Sequence, residues 1–116
     1  MLRRTALAAA IGCALALAGL ASAGAAEGYA TFYRRGVWTA SGERFDPRAM
    51  TCALRSRAFG RHIRVTVLST GRSAVCRHND YGPAAWTGNL IDVSERMAEV
   101  LGFNQRGRVR VRIDVE

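Results

Sequence analysis

The sequence predicts an all-β domain in which about six short strands and one short helix close into a small barrel. Two segments, His62–Leu68 and Arg108–Val115, alternate apolar and polar residues with the period of a half-buried strand. A tight connection at Ser69–Arg72 follows the first segment and leads into Ser73–His78, which predicts a β-hairpin. A chain this small gains from closing its strands into a barrel, because closure removes exposed strand edges.

The remaining predicted elements are short. Gly28–Tyr33 is aromatic and β-prone and predicts the first strand, while Met50–Arg57 and Leu90–Val93 predict two more. We expect a helix over residues 94–101, because Ser94 is a good N-cap and an acidic residue follows it in the first turn. Gly102 is then in place to end that helix.

Residues 1–26 have the features of an export signal. Arg3 and Arg4 precede an uncharged run, Thr5–Ala26, and small residues at Ala21–Ala23 or Ala23–Ala25 offer cleavage sites. An uncleaved membrane anchor is the alternative, but the run is rich in Ala and Gly and holds few large apolar residues. We therefore expect residues 27–116 to form the folded domain of an exported protein of the periplasm or cell envelope, without stable membrane insertion after cleavage.

The predicted mature chain is basic. It holds 15 Arg and 9 Asp plus Glu, a formal charge of 15 − 9 = +6, and the sequence contains no Lys. A basic surface on an exported protein suits an anionic partner such as the cell wall or lipid headgroups, whereas nucleic acid lies in another compartment. We expect a monomer without a cofactor.

Two cysteines, Cys52 and Cys76, remain after the predicted cleavage. An even number in an oxidising compartment predicts one disulfide, and two buried free thiols are the alternative. The bond would stabilise the fold by roughly 3 kcal/mol on the chain-entropy estimate. We predict no metal site, because these cysteines and the two histidines lack the paired spacing of metal ligands.

The segment Arg77–Ser94 carries the strongest functional signal. Asp80 lies between a predicted strand and the turn at Gly82-Pro83, where a strand would fix an acid and a loop would leave it accessible. The alternative is an Asx-turn with its own backbone. Upstream, Asp46 before Pro47 is predicted to cap one helical turn. Glu43 has no comparable structural explanation.

Several segments resemble the rare lipoprotein A family, the RlpA-like septal lytic transglycosylases. The resemblance rests on GYATFY, TASGERFDPRAMTCA, NDYGP at Asn79–Pro83 and IDVS at Ile91–Ser94, and it spans nearly the whole predicted mature chain in order. It implies a six-stranded double-psi β-barrel, related to those of expansins and some endoglucanases, in a protein that acts on peptidoglycan glycan strands. The family cleaves between muramic acid and glucosamine without water and leaves an anhydro end.

The resemblance also implies roles for individual residues. Asp80 corresponds to the catalytic acid, and Glu43 and Asp46 to acidic positions of the groove. Leu54 stands where the family has a catalytic His, so a barrel that binds glycan without cleaving it is the alternative. We hypothesise that His78 partly replaces the missing group, because residues i and i+2 of a strand share a face; a core histidine is the simpler interpretation.

Five further residues are candidates for substrate binding. Aromatic rings can stack on sugars, and polar side chains beside the acid can hold hydroxyl or acetamido groups. Packing inside the barrel and hydrogen bonding within turns are the alternatives for these residues: Tyr33, Tyr81 and Trp86 among the aromatic ones, Arg77 and Asn79 among the polar ones.

Overall fold

The computed structural model describes residues 25–116 and shows the predicted closed barrel of six strands. One α-helix and one 3₁₀ turn connect strands of the barrel. The elements are β1 (Ala25–Tyr33), β2 (Thr51–Leu54), β3 (His62–Val67), β4 (Ser73–Tyr81), a 3₁₀ turn (Ala85–Thr87), β5 (Asn89–Ser94), α1 (Glu95–Leu101) and β6 (Arg108–Val115). The predicted export signal lies outside the described residues except for Ala25 and Ala26, which begin β1.

The strands follow the order β1-β5-β2-β4-β3-β6 around the barrel. Two neighbouring pairs, β1–β5 and β2–β4, are parallel, and the other four pairs are antiparallel. β5 and β2 lie side by side, so the two parallel pairs form one continuous four-stranded wall. This wall carries the candidate site.

Each parallel pair contains one bulge. In β5, Tyr29 pairs with Asn89 but Ala30 pairs with Ile91, so Leu90 is an extra residue. In β4, Cys52 pairs with His78 but Ala53 pairs with Asp80, so Asn79 is extra. A bulge changes which face the following side chains occupy, and bulges are common next to active sites.

The β5 bulge explains the need for glycine at position 28. A Cβ atom at Gly28 would lie 2.9 Å from the Cβ of Leu90, closer than two carbons can approach. A glycine in a strand often marks such a close approach. Replacing Gly28 would therefore force the bulge or its neighbour to move.

The core of the barrel is apolar and contains a disulfide between two neighbouring strands. Inward-facing residues of all six strands pack with Met97, Ala98, Leu101 and Phe103 of the helical connection. The predicted bond between Cys52 and Cys76 is confirmed and joins β2 to β4, with 5.8 Å between the Cα atoms. Both cysteines are fully buried.

The predicted helix is confirmed. The Ser94 hydroxyl accepts a hydrogen bond from the Met97 amide at 3.2 Å, and Gly102 ends α1 at φ 82°. In the part of the chain from 25 to 116, no helix is long and apolar enough to cross a membrane.

Three predicted strand boundaries are wrong by three residues. β1 begins at Ala25 rather than Gly28. β2 ends at Leu54 rather than Arg57, because the Arg55 side chain turns away to donate to the carbonyls of Pro83 and Asn89, at 2.7 and 2.9 Å. β4 runs through Tyr81 rather than ending at His78. Asp80 therefore lies within a strand, and not between a strand and a loop.

Candidate active site

Four residues of the parallel wall form a row across neighbouring strands. Thr31 of β1 pairs with Asp92 of β5, Asp92 pairs with Ala53 of β2, and Ala53 pairs with Asp80 of β4. Residues that are paired across a sheet share a face. The carboxylates of Asp80 and Asp92 therefore lie on the same face of the sheet, and the methyl side chain of Ala53 lies between them.

Asp92 lies in the more enclosed half of this row. Its Oδ1 accepts a hydrogen bond from the Thr31 hydroxyl. Burial raises the pKa of Asp92, the Thr31 hydrogen bond lowers it in part, and the negative charge of Asp80 raises it again. The net effect favours the protonated acid.

Asp80 is oriented by backbone amides. Its Oδ1 accepts from the amides of Ala40 and Tyr81, each at 2.9 Å. Its Oδ2 accepts from the Tyr33 hydroxyl at 3.4 Å. Burial and the charges of Asp80 and Asp92 raise the pKa of Tyr33, so this hydroxyl stays protonated and can donate at neutral pH.

Glu43 and Arg77 pair with each other at the edge of the site. The guanidinium donates to both carboxylate oxygens, at 2.5 and 2.7 Å. Hydrogen bonding to Arg77 lowers the pKa of Glu43, so Glu43 is ionised at neutral pH and cannot act as a proton donor. Together with the bond from the Ser41 amide to the Asn79 carbonyl, at 3.3 Å, this pair fastens the β1–β2 loop to β4.

The hypothesised contact between the His78 ring and the Asp80 carboxylate is absent among the described residues. The His78 ring is fully buried against Phe59, with ring centroids 5.1 Å apart, and its Nε2 is 3.0 Å from the backbone carbonyl oxygen of Asp80. The bulge at Asn79 is the reason, since the extra residue places His78 and Asp80 on opposite faces. The simpler interpretation of His78, a core histidine, fits this geometry.

Asp46 and Leu54 do not reach the row either. The Asp46 carboxylate accepts from the Arg48 amide at 2.9 Å, in the local capping role that its sequence predicted, although the segment forms a turn and not a helix. Leu54 packs in the apolar core and offers no polar group in place of the family's histidine.

The predicted aromatic residues differ in their accessibility. Tyr33 stacks on Phe45, with ring centroids 4.6 Å apart, and Tyr81 lies beneath the guanidinium of Arg57 at 4.5 Å. Trp86 is 88% exposed on the 3₁₀ turn, whose flanking carbonyls Arg55 holds. Of these rings, Trp86 is thus the most accessible to a ligand. Asn79, predicted to bind substrate, is buried instead, and its Oδ1 has no hydrogen-bond partner.

Sequence reasoning missed three residues of this region. Asp92 lies within IDVS, where an acid between Ile91 and Val93 looks like an ordinary outward-facing strand residue. Its partner Thr31 gave no signal of its own. Trp38 is 67% exposed on the loop that also supplies the Ala40 amide to Asp80. The one available clue was Asp92 itself, a charged residue in the middle of a short apolar strand.

No metal site is evident in residues 25–116. No group of three or more His, Cys, Asp or Glu side chains is close enough to share an ion. The row and the neighbouring Tyr33 instead offer a carboxyl group with a raised pKa, a second carboxyl group and a phenolic donor. Such a set can give a proton to a leaving oxygen and receive one from a hydroxyl.

Comparisons with known proteins identify the family and the fold of this chain. Residues 25–113 match the double-psi β-barrel family model described as "Lytic transglycolase". The chain is 49% identical over 94 residues to a probable endolytic peptidoglycan transglycosylase RlpA of Nostoc sp., which covers 77% of this chain and 25% of the relative. It is 36% identical over 91 residues to the endolytic peptidoglycan transglycosylase RlpA of Pseudomonas aeruginosa, covering 78% of this chain and 26% of the relative. The chain thus spans about a quarter of the length of the curated relatives it matches.

Solved structures show the same fold at low sequence identity. A Streptomyces papain inhibitor has a TM-score of 0.66 at 19% identity, over 78% of this chain and 93% of that one. An expansin of Clavibacter michiganensis, solved with cellohexaose, has a TM-score of 0.63 at 19% identity, over 79% of this chain and 50% of that one. The mixed six-stranded barrel is therefore a double-psi β-barrel, and the chain belongs to the RlpA-like family of lytic transglycosylase domains.

Proposed function

We propose that this protein is an exported lytic transglycosylase that cleaves peptidoglycan glycan strands and leaves anhydromuramyl ends. The observation that carries the proposal is the pair of carboxyl groups, Asp80 and Asp92, on one face of the wall with Ala53 between them. The names of the relatives supply the substrate class. The predicted export signal and the cell envelope location belong to the same proposal.

The two carboxyl groups divide the proton transfers. Asp92, with its raised pKa, donates its proton to the glycosidic oxygen that leaves from C1 of the muramic acid residue. The C1–O bond breaks as the C6 hydroxyl oxygen of the same sugar attacks C1 and closes the anhydro ring. The proton of that hydroxyl passes to Asp80. No water is consumed, and exchange with solvent returns both groups to their starting states.

This assignment changes the role that the sequence suggested for Asp80. A general acid must hold a proton near neutral pH, and burial favours that state at Asp92. Asp80 has three donors around its carboxylate, from Ala40, Tyr81 and Tyr33, which suit a base held in a fixed orientation. The accessible ring of Trp86 is proposed to stack on a sugar, whereas Arg77 and Glu43 act by holding the β1–β2 loop.

A product assay tests the proposal. The full chain is incubated with purified peptidoglycan, and anhydromuramyl ends are counted by mass spectrometry. Asp92→Asn should lower their rate of formation by roughly 100-fold to 10,000-fold, and Asp80→Asn should also lower it. Asp114→Asn removes a carboxylate on β6, outside the row, and should leave the rate unchanged. Undiminished product from Asp92→Asn would overturn the assignment.

A second function is favoured by one observation, the presence of apolar Leu54 at the position of the family's histidine. On this alternative the barrel binds glycan and has lost its chemistry. The two functions separate cleanly in the same assay. A protein that sediments with peptidoglycan but forms no anhydromuramyl ends is a binding module.

A further inference from the structure

The row of the candidate site continues onto a cationic strand. Thr31 pairs with Asp92 on one side and with Arg108 of β6 on the other. Arg108, Thr31, Asp92, Ala53 and Asp80 therefore lie in one line across five strands. Two strand spacings separate Arg108 from Asp92, roughly 10 Å between Cα atoms, a distance comparable to a disaccharide unit.

The Arg108 side chain is held in place by its neighbours. Its guanidinium carbon lies 3.7 Å from the centre of the Tyr29 ring, and its Nε donates to Asn89 Oδ1 at 2.8 Å. Tyr29 and Asn89 are themselves paired, and the β5 bulge is what brings Asn89 to the same face as Asp92. The terminal nitrogens of Arg108 are thus presented on a pre-oriented side chain beside the row.

The guanidinium of Arg110 lies near that of Arg108, against the same aromatic ring. The Arg110 guanidinium carbon lies 5.3 Å from the centre of the same Tyr29 ring. Within residues 25–116, neither Arg108 nor Arg110 forms an ion pair with a carboxylate, although seven such pairs occur elsewhere in that range. Two exposed guanidinium groups on one aromatic ring, without an acidic partner, form a place for an external anion.

We propose that Arg108 and Arg110 form a subsite for a carboxylate carried by the glycan. The inference rests on the proposed function, because muramic acid bears a lactyl carboxylate close to the sugar ring. When a stem peptide is attached, that carboxylate becomes an amide and the peptide supplies carboxylates farther out. Arginine binds a carboxylate through two parallel hydrogen bonds, so the subsite distinguishes muramic acid from uncharged sugars.

Binding measurements test the subsite without turnover. The full chain carrying Asp92→Asn is titrated by calorimetry at physiological salt with four soluble ligands. These are glycan fragments without stem peptides, the same fragments with lactyl carboxylates converted to methylamides, fragments with stem peptides, and chitohexaose. Arg108→Gln and Arg110→Gln are compared with Arg106→Gln, which removes the same charge from an exposed position outside the row.

The expected result is a carboxylate preference that depends on Arg108. Peptide-free fragments should bind roughly three-fold to ten-fold more tightly than their methylamides, and Arg108→Gln should abolish the difference while Arg106→Gln keeps it. Arg110→Gln should reduce the difference in part. If peptide-bearing fragments bind most tightly and also depend on Arg108, the carboxylate recognised is that of the stem peptide.

Three outcomes would overturn the subsite. They are equal binding of the acid, the methylamide and the peptide-bearing fragments by the parent, equal losses in Arg108→Gln and Arg106→Gln, and no binding of any fragment. Failure of the proposed function is separate, because it is judged by anhydromuramyl ends from the protein with Asp92 intact. A protein without those ends but with an Arg108-dependent preference keeps the subsite and loses the reaction.

Discussion

The two parallel strand pairs of the wall make an instructive comparison. Each presents one carboxyl group, and a bulge interrupts each pair. In β1–β5 the acid is partly buried beside a threonine hydroxyl, whereas in β2–β4 the acid is held by two backbone amides. Bulged parallel pairs thus produce two different environments for a carboxyl group, and in β1–β5 burial raises the pKa of the acid.

The pairs also differ in how they are held together. β1 has nine residues, of which Tyr29–Tyr33 pair with β5 and Ala25–Thr31 pair with β6, whereas β2 has only four residues. The disulfide between Cys52 and Cys76 compensates for this short ladder. The two proposed proton-transfer roles therefore depend on one pair whose strand β1 is also paired with β6, and on another pair that is joined by a covalent bond.

Removing the disulfide should have the largest effect on stability. Cys52→Ala with Cys76→Ala is expected to lower the free energy of unfolding by roughly 3 kcal/mol, because the unfolded chain gains conformational freedom. Denaturant titration of this variant beside the oxidised parent measures the difference. Equal midpoints would mean that the β2–β4 ladder is sufficient without the bond.

Removing the charge of Asp80 should change the titration of Asp92. In Asp80→Asn the pKa of Asp92 should fall, because the negative neighbour that raises it is gone. Since Asp92 can act in its proposed role as proton donor only when it is protonated, its protonated fraction would then be lost at lower pH than in the parent. Carboxyl NMR titration follows this directly, with Asp114→Asn as the control that leaves Asp92 unchanged. An unaltered Asp92 titration would show that the two carboxyl groups act independently.

Removing the Thr31 hydroxyl should shift the pKa of Asp92 in the opposite direction. Thr31→Val deletes a hydrogen bond that stabilises the ionised Asp92, so the pKa of Asp92 should rise. The same NMR titration measures it, and Thr66→Val on β3 serves as the matched control. A fall in pKa would contradict the role given to Thr31.

The smallest effect on stability is expected from replacing Glu43, which lies at the edge of the site and pairs with Arg77 of β4. Glu43→Gln weakens the pair with Arg77, and both side chains are 41% exposed, so the loss at neutral pH should be at most about 1 kcal/mol. The pKa of Glu43 is lowered in the folded protein, so its contribution is present above the unfolded pKa and disappears as pH falls through the folded one. Denaturation should therefore show a difference in the free energy of unfolding between the parent and Glu43→Gln at neutral pH, and no difference at strongly acidic pH. A difference that persists in acid would have another cause.

Local patterns were sufficient for much of the fold. The alternation in His62–Leu68 and Arg108–Val115 and the capping residues Ser94 and Gly102 predicted elements that the structure contains. Such signals depend on near neighbours in sequence. The site depends instead on strand register, which no single strand reveals, and for that reason Asp92 was missed and His78 was placed on the wrong face.

The bulge at Asn79 makes the effect of losing one residue of β4 depend on where the residue is lost. Deleting Asn79 removes the extra residue, so His78 and Asp80 become consecutive residues of a regular strand and stay on opposite faces. Deleting a residue near the start of β4 instead shifts the register with β3 and moves side chains to the opposite face. Deletion scanning of β4 should therefore find position 79 far more tolerant than the positions at the start of the strand, and in an alignment of related barrels a one-residue gap at the bulge would leave Asp80 on its present face.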